Sequence, residues 1–410
     1  MDEETANKLL ASIPGAKRAA NGIIIEGHDD EIGSYMFHVT NIIDKKELEG
    51  LTDEESFYIS FCSRKEIIRL REIKNAHDYL LRIRAEAIVD SPRAVRVMSQ
   101  RKMLSQKTGQ AWSLTHYYHS KDHFHKSYIS HLTRANSKIL KSVPSGLAFI
   151  KDANATCVRS FTGDAVIVSE SLEHFFYFMS IGFYGEELGI EPWDRQSAFL
   201  IAARIMNKSE ALDFDIDPRG ILPVSTEKKL KEMVKTQMQF TFGHEYAHYI
   251  MGHLAAPELD GQVVQQITRH SFELEFEADL YAINLMQNNN EAKEKVIRAA
   301  FSVLMYFDFI EKVMNVDLVE SNTHPKPLER MWRLFDKLGK KSLVSKVANK
   351  ETLDDCINFF NWVAESLKSS LNDPPGFGVI LKPEDNQLTF YGSIYLPSYI
   401  TKIKRDRIDF

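Results

Sequence analysis

The chain has 410 residues, of which 44% are hydrophobic and 26% charged, and a formal net charge of −6 at pH 7. That is the balance of a globular protein with a sizeable buried core, at a length that allows about two or three domains, and it excludes general disorder. The acidic balance argues against a protein built mainly to hold nucleic acid, and three dispersed cysteines with no Cys-x-x-Cys pair exclude zinc-finger and thioredoxin motifs.

Cys62, Cys157 and Cys356 lie far apart, a pattern expected in a reducing compartment. The opening Met1-Asp2-Glu3-Glu4-Thr5 is acidic and lacks the apolar core of a signal peptide. The apolar stretch Ala299–Phe307 is interrupted by Ser302 and falls short of the roughly 20 apolar residues that a spanning helix needs. The expectation is a cytoplasmic protein without a membrane span.

In chain order, Gly22–Glu26 reads as a strand. Ser63–Ile88 carries Ile67, Ile68, Leu70, Ile73, Leu80, Leu81 and Ile83 at helical spacing. Residues 90–135 are polar and basic and read as one or two helices with loops. Gly146–Ile150 and Ala165–Ser169 read as strands, with a turn at Thr162-Gly163-Asp164. Helices follow at Glu173–Phe183, Ser197–Met206, Thr226–Leu254, Phe272–Gln287, Ala292–Val313, Leu328–Leu338 and Leu353–Leu371. The tail suggests a hairpin at Gly378–Leu396 after the Pro374-Pro375-Gly376 turn. The fold class expected is α+β, mainly helical, with a small sheet before the main helices.

The chemistry concentrates in His244-Glu245-Tyr246-Ala247-His248. Residues four apart share one helix face, so His244 and His248 can offer two imidazoles to one ion. Glu245 is rotated about 100° from His244, beside the ion, where a carboxylate can act as a base on a water. The apolar flanks make this a buried helix, and buried histidines and a glutamate need partners. His253 lies about 140° around the helix from His248 and reads as a helix-end residue facing the last carbonyls. The third ligand is sought in Phe272-Glu-Leu-Glu-Phe-Glu-Ala-Asp279. Of Glu273, Glu275 and Glu277, Glu275 alone has an aspartate four residues on. Glu275 is therefore the expected third metal ligand, and Asp279 the partner that fixes a ligand histidine's tautomer. Two histidines, one glutamate and an open position form a recurrent catalytic zinc set, and Zn2+ is the expected cofactor.

His-Glu-Tyr-Ala-His followed by Glu275-Phe-Glu-Ala-Asp279 resembles the gluzincin peptidases of the HtpX and CAAX prenyl endopeptidase type. Thr323-His324-Pro325 with Glu329-Arg330 resembles the segment that follows the ligand helix in that family. Asn154-Ala155 through Gly163–Ser169 resembles its strand-turn-strand. The resemblance covers about residues 143–340 and implies a zincin-like core, with substrate lying along an edge strand at Val166, Ile167 and Val168. Soluble proteins of similar layout include the ImmA-type repressor-cleaving and Lit-type phage-exclusion proteases. His324 reads either as a turn residue or as a donor to the oxyanion of the tetrahedral intermediate.

The expected organisation is a mixed region 1–140, a metallopeptidase domain 141–345 and a C-terminal extension 346–410. The expected activity is zinc-dependent hydrolysis of a protein or peptide substrate, with Glu245 as general base. The alternative is a zinc-fold binding or sensor protein with little or no peptidase activity. His116, His119, His123, His125 and His131 form a second cluster, which reads as surface histidines, against a second metal or phosphate contact.

Overall fold

The computed structural model describes residues 3–400 apart from 20, 21, 31, 32, 40, 41, 44, 110, 122, 255–271, 288, 315–324, 340–347 and 373–393. Two compact units divide between Ile59 and Ser60. Residues 60–140 pack into the same unit as the metal-motif helix.

The first unit carries α1 (Glu3–Ser12), then β1 (Ala16–Ala19), β2 (Gly22–Asp29) and β3 (Gly33–Val39), with short helices α2 (Lys45–Leu48) and α3 (Asp53–Tyr58). The three strands form an antiparallel meander in the order β1-β2-β3. Ile23 of β2 is fully buried.

The second unit begins with helices α4 (Arg64–Leu70), α5 (Ala76–Val89), α6 (Pro92–Lys107), α7 (Leu114–Lys121), α8 (Phe124–Ser130) and α9 (Arg134–Leu140). The single helix expected over Ser63–Ile88 is thus two. The Asn75 side chain accepts hydrogen bonds from the His77 and Asp78 N–H groups and starts a new helix, the capping that asparagine favours.

Strands β4 (Ser145–Ala148), β5 (Ala155–Ser160) and β6 (Gly163–Ser169) follow. Their order is β4-β6-β5, with β6 parallel to β4 and antiparallel to β5. This corrects the edge-strand reading: β6, which carries Val166, Ile167 and Val168, is the middle strand, and those residues are at most 2% exposed. Among the described residues the edge on the metal-helix side is β5. One sheet face, with Val158, Ala165 and Ile167, packs on Tyr79, Leu80 and Ile83 of α5. By strand alternation, Cys157, Val166 and Val168 point the other way.

The remaining helices are α10 (Glu170–Tyr184), α11 (Pro192–Met206), α12 (Val224–Ile250), α13 (Phe272–Asn284), α14 (Asn290–Met314) and α15 (Pro327–Gly339), with two further helices at Lys350–Asn372 and Pro397–Ile400. Aromatic rings bind this layer together: Phe183 stacks on Phe360 at 4.7 Å and Phe199 meets Phe309 at 5.1 Å. The hairpin expected at Gly378–Leu396 lies outside the described residues as far as 393. Leu396 is buried, and its N–H donates to the Arg219 carbonyl at 2.8 Å. No helix among the described residues is long and apolar enough to cross a membrane.

Buried charges tie residues 60–140 to the rest of this unit. The Arg101 guanidinium donates to Glu170 and Asp215, both at 3.0 Å, and the Tyr118 hydroxyl donates to Glu170 at 2.6 Å. Burial opposes the charge on Asp215, but Arg101 and Lys121 hold its carboxyl below the usual range. Burial pushes the neighbouring His174 down to about 4, so this imidazole is neutral. Removing one partner of such a pair leaves the other buried and uncompensated, at a cost of about 3–5 kcal/mol. Arg101→Ala is therefore expected to lower stability by that amount in urea denaturation, and a loss below about 1 kcal/mol, the worth of an exposed pair, would show that the network is solvated.

Candidate metal centre

Helix α12 is buried on every side along its last turns, from Gln237 to His248. That is the pattern of a helix at the centre of a core. α13 packs along it, and α8 closes the pair from the other side. Gly243 makes the approach of α8 possible: a Cβ at this position would stand 2.7 Å from the Tyr128 ring. The Tyr128 hydroxyl then donates to the Ala282 carbonyl of α13 at 2.6 Å, while its ring stacks on Tyr246 of α12.

This packing brings His244, His248 and Glu275 together, all buried, with their candidate ligand atoms within 4.8 Å of one another. His244 Nε2 lies 3.1 Å from His248 Nε2, and the Glu275 carboxylate spans the pair, with Oε2 3.3 Å from His244 Nε2 and Oε1 3.3 Å from His248 Nε2. Zinc ligands at about 2.0–2.1 Å in tetrahedral array stand about 3.3–3.4 Å apart, so these pairwise separations are of the size a zinc site needs. Glu273 instead pairs with Arg333 at the surface, and Glu277 is 56% exposed.

Asp279, 1% exposed, accepts at 2.9 Å from His244 Nδ1. Its carboxylate also takes Arg330 of α15 through two bonds, Nε at 2.8 Å and Nη2 at 2.7 Å. Arg330 Nη1 lies 3.6 Å from Glu275. Burial disfavours charge on His244, yet Asp279 and Glu275 override it and hold the imidazole up to about 10 when no ion is bound. Burial likewise opposes ionised Asp279, and Arg330 and His244 keep it below its ordinary range. A bound metal displaces such a proton.

Glu245 is 8% exposed on the turn that carries His244. Its charge reaches Arg330 of α15, and with burial it helps to raise the Cys157 thiol of β5. It is thus within electrostatic reach of both Arg330 and the edge strand β5. In the ion-free chain the buried carboxylates of Glu245, Glu275 and Asp279 face the guanidinium of Arg330 and the protonated imidazole of His244. Buried carboxylates of this kind require compensation, which a cation held by His244, His248 and Glu275 could also supply.

Two residues take roles that their sequence positions did not assign. Arg330, which entered through a family-like segment, anchors Asp279. His253, read as a residue facing helix-end carbonyls, places its Nδ1 3.0 Å from His248 Nδ1. Gly252 in the sequence was the signal for the second. His324 lies outside the described residues. Within the other histidine cluster, His119 and His123 are exposed, and no metal-binding group forms there among the described residues.

The model of the family described as Peptidase U49, a family of Lit-type proteases, matches residues 215–348. The match spans less than half of the chain and takes in α12, α13 and α15, the helices that carry the triangle and its supports. No significant match was found among curated proteins or among solved structures.

Filling the Gly243 notch tests this arrangement. Gly243→Ala forces Tyr128 away from α12, and overpacking of this kind costs about 1–3 kcal/mol. A lowered urea midpoint is expected, together with weaker metal uptake as α13 loses its anchor at Ala282. An unchanged midpoint would mean that the ring moves aside freely.

Proposed function

We propose that the protein is a zinc-dependent endopeptidase acting on a protein or peptide substrate. The observation that carries the reading is the buried cluster of His244, His248 and Glu275, with Glu245 buried on the same helix next to His244. The match of residues 215–348 to a peptidase family supports it independently. His244, His248 and Glu275 would hold the ion, and the narrower likeness to gluzincins of the HtpX and CAAX prenyl endopeptidase type belongs to this proposal.

A bound zinc ion supplies Lewis acidity and lowers the pKa of a water in the site to about 7. The chain's own residues do the rest. Glu245 accepts the water's proton and passes it to the leaving amine nitrogen. Asp279, itself clamped by Arg330, holds His244 with its proton on Nδ1 and leaves Nε2 as the ligand atom. The substrate backbone adds as an extra strand to β5, the edge strand beside α12, with pairing through main-chain hydrogen bonds. In this reading β5 takes the place first given to Val166, Ile167 and Val168, and His324 is retained as a donor to the oxyanion. A cytoplasmic location fits the cysteines, which form no disulfide.

The decisive substitution is Glu245→Gln. It is expected to leave zinc content and melting temperature near those of the wild type while peptide cleavage falls about 10²–10⁴-fold, the usual worth of a general base. Proteomic comparison of new protein termini in cells expressing the two forms supplies the substrate and the readout together. If the cellular effect survives the substitution with no new termini in either form, the chain is a zinc-fold binding or sensor protein.

Metal content gives a second check. His248→Ala and Glu275→Gln are expected to lose most of the bound zinc, whereas Glu273→Gln and Glu277→Gln keep it. Elemental analysis that finds equal zinc in all four would sink the ligand assignment.

A further inference from the structure

The end of α12 returns a third imidazole to the site. Gly252 has φ +72°, a conformation that glycine reaches without a steric penalty. The His253 N–H donates to the His248 carbonyl at 3.0 Å and the Gly252 N–H to the Tyr249 carbonyl at 3.2 Å. This nested pair is the Schellman motif, in which the residue after the glycine folds back onto the residue at the start of the last turn. The returning contact is commonly apolar. Here it joins His253 to His248, Nδ1 to Nδ1, at 3.0 Å.

We infer that His253 is a positioning residue for the metal ligand His248, fixing its ring and tautomer through the Nδ1–Nδ1 hydrogen bond. The inference rests on the zinc reading above. His248 turns Nε2 toward His244 and Glu275, so its proton sits on Nδ1 and is donated outward. His253 Nδ1 accepts it, which places the His253 proton on Nε2, the atom that faces the Glu277 carboxylate at 3.8 Å. The His253 side chain is only 6% exposed, so water competes weakly for the bond.

The two ligand histidines are thus held by unlike partners. Asp279 holds His244 with a full negative charge that Arg330 balances. A neutral imidazole holds His248 and adds no further anion to a site that already contains three buried carboxylates, Glu245, Glu275 and Asp279. Outer partners of ligand histidines orient the ring, and their loss typically weakens metal binding about 10–100-fold.

The test uses the full chain stripped with chelator and titrated with Zn2+ against a chromophoric competitor. His253→Phe keeps a ring but has no acceptor. His253→Asn places Oδ1 where Nδ1 stood and can still accept. The Phe variant is expected to bind Zn2+ about 10–100-fold more weakly, the Asn variant close to wild type, and thermal unfolding of the metal-free forms to stay the same. His253→Ala replaces the Phe variant in the comparison should the latter not fold. Wild-type affinity in the variant without an acceptor, or an Asn variant as weak as Phe, would overturn the inference. A wild-type chain that takes up no Zn2+ would overturn the metal reading itself, and this inference with it.

Discussion

Two carboxylates on one face of α13 set the terms for the helices around them. Glu275 and Asp279 are essentially removed from water, and isolated ionised carboxylates in such a place cost far more than a domain's net stability. Each must therefore meet positive charge or hydrogen-bond donors. α15 answers with Arg330 and α12 with two imidazoles. These charged contacts join α12, α13 and α15 at one point, where the proposed ion would sit.

The sheet contributes differently. β6 is buried between β4 and β5, and its side chains are divided between α5 and α12. A central strand has no unpaired backbone to offer, so its work is structural: it carries β5 to the edge beside Glu245. β5 is held there at its far end as well, where the Arg159 guanidinium bridges Asp164 and the Leu254 carbonyl just beyond α12.

What the sequence disclosed follows from the range of the interactions. His244 with His248, and Glu275 with Asp279, are four residues apart, and that spacing alone puts each pair on one helix face. Most long helices were legible for the same reason. Strand order was not, because pairing β4 with β6 across β5 is a non-local choice that no local pattern encodes. The break at Asn75 was hidden by an apolar rhythm that continues through it, although asparagine and the following Asp78 carried the capping signal. Gly252 marked His253 as a helix-end residue, but its contact with the His248 ring was not legible, because it depends on the positive φ that turns the chain back. Residues 60–140 were opaque for a further reason: their polar side chains, Arg101 and Tyr118 among them, are buried against partners far along the chain.

The Tyr128 bridge also bears on how the proposed ion would be taken up. Its ring fills the notch at Gly243 and its hydroxyl is fixed on Ala282, so the spacing of the two ligand-bearing helices is set by an organic side chain and a glycine. In small zinc modules the metal itself draws the chain together, and binding and folding are one event. Under the proposed zinc reading, the ligand helices of this chain would instead be spaced by packing during folding, before an ion binds. On that reading, loss and regain of the ion would proceed on a folded chain, and metal supply could govern activity without governing the lifetime of the protein.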